Sequence, residues 1–232
     1  VSIAFLVITD GRDEYLRQCI ASLDYLHGPV VERWMFDDTG DSAYRSELRE
    51  RYPQWRHIHA GPRSGCAGAF RSAREQVRNS TGAKFLFMIE QDFTFFRYVN
   101  MRAMMQVLDD NQHLAEIALR RQPWNEQEHA AGGVVEQHPD WYVDKEDKDG
   151  RKWLEQGMFY TTNPHLERTS LLNIPWPDHQ VGRYSEDTFT HILKSQGTPE
   201  IVGDAVRFAY WGARDSGVWT MHIGYERAGR DY

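Results

Sequence analysis

Acidic residues recur where apolar runs end. The stretch FLFMIEQDF carries five apolar residues, Phe85 to Ile89, into Glu90-Gln91-Asp92. SIAFLVITD runs into Asp10, and VVERWMFDD into Asp37 and Asp38. Alternate residues of an extended chain share a side, so Glu90 and Asp92 can face one ligand with Gln91 between them. Several carboxylates at one place repel each other unless a cation or a hydrogen-bond donor compensates them. Carboxylate oxygens suit Mg²⁺ or Mn²⁺, ions held by one or two acids together with a substrate's phosphates. Such an ion neutralises charge building on a phosphate leaving group. The plainer alternative is that Glu90 and Asp92 cap a strand end. A second acidic pair, Glu186-Asp187, opens the periodic stretch SEDTFTHILKSQ, which reads as a helix over 185–196 with Ser185 as N-cap and Gly197 as the stop. Acids in a first helical turn are ordinary capping chemistry, and the helix dipole also keeps them charged.

The elements that must position these acids follow from the hydrophobic pattern. Residues 2 to 9 form a short continuous apolar run, the mark of a strand covered on both faces. A helix striped with Leu16, Cys19, Ile20, Leu23 and Leu26 follows and stops at Gly28-Pro29. Further strands are expected at 30–36, 57–60, 84–89 and 114–119. Helices are expected at 42–52, 67–79 and around Met101 to Leu108. Strand and helix alternate, which implies parallel, right-handed βαβ units. In such sheets ligands sit beyond the carboxyl ends of the strands. Asp10, Asp37, Asp38, Glu90 and Asp92 should therefore converge on one crevice. Residues 121 to 160 are polar, studded with tryptophan and poor in helical pattern, as expected of a lid or binding loop. Within them DKEDKDG (144–150) reads as a hairpin tip.

Five ordered stretches resemble the family 2 glycosyltransferases, whose GT-A fold binds nucleotide-diphosphate sugars. VSIAFLVITDGRDEYLRQCIASL looks like the family's opening strand, polar turn and helix. MFDDTGD is similar to its second-strand acidic motif, and SGCAGAFRSAREQV to its Gly/Ala-rich loop and Arg-bearing helix. FLFMIEQD stands where the family has its D-x-D strand, and YSEDTFTHIL matches its late E-D helix start. The resemblance implies a single GT-A-like α/β domain over 1–232, with a mostly parallel, Rossmann-like sheet flanked by helices. Residues 1–120 would form the nucleotide-sugar half, and 121–232 the irregular acceptor-binding and catalytic half. It implies an inverting, metal-dependent transferase moving a sugar from a donor such as a UDP-sugar to a hydroxyl acceptor.

Roles follow from the same resemblance. Thr9, Asp10 and Arg12 would line the nucleotide pocket. Asp38 or Asp37 would accept the N3–H of a uracil-like base. Arg71 would reach the diphosphate or ribose, with Arg74 fitting the spacing as well. Asp92 would bind Mn²⁺ or Mg²⁺; Glu90 would hold the ribose or share the metal; Gln91 lies between them in the donor site. His222 would be a third metal ligand, against the structural role that a lone histidine more often has. Asp187 would be the catalytic base, beside Glu186. Thr162, Asn163 and Arg168, in TTNPHLERTSLL, resemble the acceptor-side strand and turn. Trp141, Trp153, Trp176 and Trp211 are candidates for stacking on sugars or for packing a lid.

Composition bounds these readings. Among 232 residues, 27 Lys and Arg stand against 34 Asp and Glu, a net charge of −7. That gives no electrostatic footprint for nucleic acid. A modified DNA base as acceptor is disfavoured unless Arg120, Arg121, Arg151 and Lys152 gather on one face. Two cysteines, Cys19 and Cys66, supply neither a disulfide framework nor a zinc site, and a soluble cytoplasmic protein is expected. Two competing readings are a sugar-nucleotide nucleotidyltransferase and a non-catalytic GT-A-like domain that binds nucleotide or glycan. The first would carry a Gly-rich, Arg-bearing loop after strand one, which ITDGRDEY does not resemble. A Rossmann oxidoreductase is disfavoured because no G-x-G-x-x-G follows that strand.

Overall fold

The computed structural model of the chain describes residues 2–178 and 184–225. Strand β1 (Ile3–Thr9) is buried throughout, and its alternation divides the core in two. Ile3, Phe5 and Val7 join one apolar cluster; Ala4, Leu6 and Ile8 join the other. After it come α1 (Asp13–Ser22), β2 (Leu26–His27), β3 (Val30–Asp37), α2 (Ser42–Arg51), β4 (Arg56–His59), α3 (Gly65–Arg78) and β5 (Phe85–Glu90). Next are β6 (Phe93–Phe95), β7 (Val99–Asn100), α4 (Met101–Asp110) and β8 (Leu114–Ala118). The remainder runs α5 (Glu126–Ala131), α6 (Val134–Gln137), β9 (Val143–Glu146), β10 (Lys152–Gln156), β11 (His165–Arg168), α7 (Ser185–Gln196), β12 (Arg207–Trp211) and β13 (Thr220–His222).

Nine strands make one sheet in the order β4-β3-β1-β5-β11-β8-β12-β10-β9. Only β11 and β10 run against the others, so the sheet is mostly parallel, as expected. Leu16 and Cys19 of α1 and the methionines of α4 cover the face of Phe5 and Phe87. Phe70, Ala73 and Val77 of α3 and Phe189 and Leu193 of α7 cover the face of Leu6 and Leu86. Each fully buried Phe or Leu contributes about 1.5–3 kcal/mol relative to exposure. Among the described residues no helix is long and apolar enough to cross a membrane.

Register sets the exit edge. Thr9 stands opposite Asp37, and Ile8 opposite Glu90, so three strand ends are level where the acids emerge. Two expectations shift. The first helix ends at Ser22, before Leu26: the Ser22 hydroxyl donates to Cys19 O at 2.7 Å and accepts Phe95 N–H at 3.0 Å, competing with the helical ladder. Leu26 then enters β2, paired with Val99. Ser185 lies inside the first turn of α7 rather than at its N-cap, a position held by Tyr184 with no side-chain capping bond. The expected hairpin is present as β9 and β10, its tip closed by Asp147 accepting N–H bonds from Asp149 and Arg151.

Candidate active site

At the exit edge Arg12 ties two acids together. Its Nε donates to Asp10 at 3.0 and 3.1 Å and its Nη2 donates to Asp92 Oδ2 at 2.9 Å. Gln91 fills the corner: its amide nitrogen donates to Asp10, and its Oε1 accepts the Thr9 hydroxyl at 2.5 Å. His222 reaches the same Asp92 Oδ2 through Nε2 at 3.3 Å. Burial pushes the Asp92 carboxyl up, yet the hydrogen bond and charge of His222, with those of Arg12, outweigh it and hold the group below its ordinary value. Asp92 Oδ1 is buried and has no hydrogen-bond partner among the described residues. An unpaired carboxylate oxygen out of water is costly, and a donor or cation would relieve it.

A short second sheet brings His222 there. Strand β13 pairs with β6 and sets His222 opposite Phe93, while Ile223 N–H donates to Asp92 O at 2.7 Å. Gln122 pins this strand, accepting His222 N–H at 2.9 Å and donating to His222 O at 2.8 Å. A Cβ at Gly224 would come within 2.2 Å of Asp92 Oδ2, so only glycine lets the backbone lie on that carboxylate. Strand β13 has three residues, too few to show in a hydrophobic pattern; the glycine two places after a histidine was the available signal.

Glu90 sits beside Thr162 and Glu186, within the field of Asp92. It lines a narrow crevice with Ile8, Asp10, Arg12, Asp38, Cys66, Phe70 and Gln91, whose enclosed volume is about 30 Å³. Removal from water, followed by the charges of Asp92 and Glu186, raises its carboxyl well above the usual range. Glu186 Oε1 accepts both the N–H and the hydroxyl of Thr162, at 2.9 and 2.7 Å. Glu186 is half-buried, while Asp187 beside it is exposed and, among the described residues, makes no hydrogen bond or ion pair. Glu90, Asp92 and Glu186 thus share one electrostatic neighbourhood, with Asp187 on the turn that carries Glu186.

The other expected donor-site residues are already engaged. Asp38 accepts Ser64 N–H and hydroxyl at 2.9 and 2.6 Å and Gly65 N–H at 2.9 Å, so it holds the start of α3 from 26 residues away. Asp37 accepts Thr39 N–H and Arg45 Nε at 2.9 and 2.7 Å. Arg74 is sealed in an ion pair with Glu167 at 2.6 Å, which removes it from the diphosphate position; Arg71 is half-exposed and pairs with Asp178. Arg168 is buried and donates to Leu114 O at 2.8 Å, while Thr161 rather than Asn163 reaches the buried Glu116. Trp153, Trp176 and Trp211 are buried, so packing explains them; Trp141 is partly exposed and stacks on His138 at 3.8 Å.

The basic face that a DNA acceptor would need does not form from Arg120, Arg121, Arg151 and Lys152. Arg120 is buried against the carbonyls of Ala213 and Arg214, Arg121 pairs with Glu128, Arg151 with Asp147, and Lys152 with Glu146. A hollow of about 610 Å³ lies elsewhere, between the edge strands and Arg214. Its walls mix Glu136, Asp144, Glu146 and Asp215 with Lys145, Lys152 and Arg214, without convergence on a reacting point.

Whether the site fits a divalent ion is decided by its donors. Among the described residues no three His, Cys, Asp or Glu side chains form a ready cage. Asp92, with its unpartnered oxygen, and His222 do converge, and these donor types suit Mn²⁺ when a diphosphate completes the shell. The pair fits such an ion; Glu90 is felt by Asp92, Glu186 and Thr162.

The same architecture recurs in solved structures. S. aureus TarS 1-349 in complex with UDP-GlcNAc superposes with a TM-score of 0.63 at 15% identity, over 99% of this chain and 60% of that one. The complex of TarS 1-349 with UDP gives 0.61 at 16% identity, over 95% and 60%. The fold is GT-A-like. A further S. aureus TarS structure matches at 0.62 and 14% identity, with 96% of this chain covering 37% of it, so the chain spans between 37% and 60% of these proteins. No protein-family model and no curated protein sequence matches the chain.

Proposed function

We propose that the chain is an inverting glycosyltransferase that takes a sugar from a UDP-sugar and passes it to a hydroxyl, with a divalent ion at Asp92. The reading is carried by one observation: a buried carboxylate with an oxygen unpartnered among the described residues, flanked by Arg12 and His222, where the parallel strands end. TarS, of like fold, is described with UDP and with UDP-GlcNAc, which supports the donor class.

Asp92 and His222 would hold Mn²⁺ or Mg²⁺, which when bound supplies Lewis-acid neutralisation of the departing diphosphate. Arg12 is the protein's own cation at that point, available to donor phosphates once it leaves Asp10 or Asp92. Asp10, Gln91 and Thr9 fix the floor of the crevice. Asp187, open to solvent, is the carboxylate an incoming alcohol can touch, whereas Glu186 is anchored by Thr162 and orients the turn. The acceptor oxygen bonds to the anomeric carbon as the bond from that carbon to the diphosphate oxygen breaks. The proton passes to Asp187, and UDP leaves with the bonding pair. The narrow crevice implies that Arg12 and its neighbours rearrange when a donor enters, since such ligands occupy pockets of several hundred Å³, on the order of 300 or more.

The test is UDP release from a panel of UDP-sugars with Mn²⁺, slow hydrolysis standing in for transfer. Release that EDTA stops and Asp92→Ala abolishes is expected. Tight UDP binding with no turnover on any sugar would favour the non-catalytic reading instead.

A further inference from the structure

The rings around His222 form a file that ends in the open. Phe93 stacks on His222 with centroids 4.7 Å apart, and Trp124 packs on His222 at 4.1 Å. Tyr225 lies nearly parallel to Trp124, at 5.6 Å and 20°. Phe93 is buried, whereas Tyr225 is 74% exposed. Core packing accounts for the first of these rings. It does not account for a ring held parallel to a tryptophan with its bulk in water, directly after the glycine that rests on Asp92. A flat aromatic surface already fixed in orientation loses little entropy when a ligand lies on it.

Position and hydrogen bonding select the occupant. Trp124 leaves the sheet after β8, which lies beyond β5 on the side away from β1 and β3 and their nucleotide-side acids. The file therefore stands across Asp92 from Asp10 and Asp38. A nucleobase there would need an edge reader, yet the neighbouring amides are engaged. Gln122 is bound to the His222 backbone, and Asn125 caps α5 through Glu128 N–H at 2.8 Å while its Nδ2 donates to Glu128 at 3.1 Å. A pyranose needs only an aromatic face for its C–H surface, with its hydroxyls left to water.

We propose that Tyr225, backed by Trp124, is a stacking platform for a pyranose ring of the acceptor. The word acceptor rests on the transferase reading; the stacking does not.

Saturation-transfer NMR on the whole protein, with the methyl pyranosides of glucose, galactose, mannose and N-acetylglucosamine as probes, reads the platform without turnover. At least one pyranoside is expected to receive saturation on its ring C–H protons. Tyr225→Ala should weaken that pyranoside about tenfold, and Tyr225→Phe should restore it. No signal from any pyranoside, or an equal signal from Tyr225→Ala, overturns the proposal. So does a Tyr225→Ala variant that loses affinity for uridine instead. Turnover of UDP-sugars is measured separately, so a protein that binds pyranosides at Tyr225 but never releases UDP would retain the platform and lose the transferase.

Discussion

Two clusters of ionisable side chains are withdrawn from water in this protein, and they differ in what they leave unfinished. At the strand exits Arg12 spans Asp10 and Asp92, His222 shares Asp92, and Asp92 Oδ1 has no hydrogen-bond partner among the described residues. Between the sheet and helices α3 and α7 lies the other cluster. There Arg74 donates to Glu167 at 2.6 Å and to Leu171 O at 3.2 Å, and the Tyr160 hydroxyl meets His165 Nε2 at 2.6 Å and Glu167 at 3.1 Å. Glu116 accepts Thr161 N–H at 2.9 Å; its other oxygen has no hydrogen-bond partner among the described residues, and burial raises this carboxyl well above its ordinary value. Burial also pulls His165 down to about 4, so it stays neutral. The inner cluster holds His165 neutral and Arg74 with Glu167 in a closed pair. The outer one keeps a charged acid, half satisfied, beside a crevice. Burial of charge therefore does not distinguish a site from a scaffold; an open valence within reach of a ligand does.

That contrast predicts opposite phenotypes. The largest effect is expected beside the outer cluster, at the exposed Asp187. Asp187→Asn should lower the rate of sugar transfer about 1,000-fold by removing the proposed general base, with the urea unfolding midpoint unchanged. Transfer at the wild-type rate would show that the base lies elsewhere, with Glu186→Gln the next variant to examine. Arg74→Ala should do the reverse. It leaves Glu167 buried without its cation, a loss of about 3–5 kcal/mol in denaturant unfolding, while the folded fraction keeps its turnover. A stable Arg74→Ala protein with no activity would make the inner pair part of the site.

A pH series sharpens the same comparison. His165 has its folded-state pKa lowered from 6.5 to about 4 by burial, so between these values the unfolded chain binds a proton that the folded chain refuses. Its contribution is full above about pH 6.5 and is lost as the pH falls towards 4, roughly 3 kcal/mol in all. Glu116 acts with the opposite sign, since its raised carboxyl loses stability as the pH climbs above 4.5. The difference between wild type and His165→Gln isolates the histidine. The variant's stability should fall less on acidification from pH 6.5 to 4, and parallel curves would contradict a neutral, buried His165.

The first half of the fold was legible in the sequence because each local signal agrees with the sheet. Runs such as IAFLVIT and FLFMIE are apolar on both faces, and the acids following them had to emerge at one edge. The second half hides its logic. Strand β11 is His-Leu-Glu-Arg, fully buried, with three polar side chains where a strand covered on both faces should be apolar. Its partners make that burial tolerable, among them Arg74 for Glu167 from 93 residues away and the Leu114 and Leu108 carbonyls for Arg168. The same distance concealed which acids are already engaged: nothing in MFDDTGD shows that Asp38 will hold Ser64 and Gly65. Trp124, Gln122 and Gly224 were not read as site residues because the three-residue strand that assembles them leaves no periodic trace.

The two clusters meet in the segment 160–163, where the smallest effect is expected. Tyr160 belongs to the sealed network, Thr161 N–H binds Glu116, and Thr162 gives both its N–H and its hydroxyl to Glu186. The scaffold thus reaches the first turn of α7 through two consecutive residues. Thr162→Val keeps the shape and the backbone bond but removes the 2.7 Å hydroxyl bond from Glu186 Oε1. That bond is to a half-buried acid, so its loss is worth about 1 kcal/mol and should lower kcat roughly fivefold, with little change in donor KM. A matching fall in stability with kcat intact would mean that the turn is held by the backbone alone. A fall in kcat with stability intact would mean that the inner network, inert in itself, sets the position of the carboxylate that meets the acceptor.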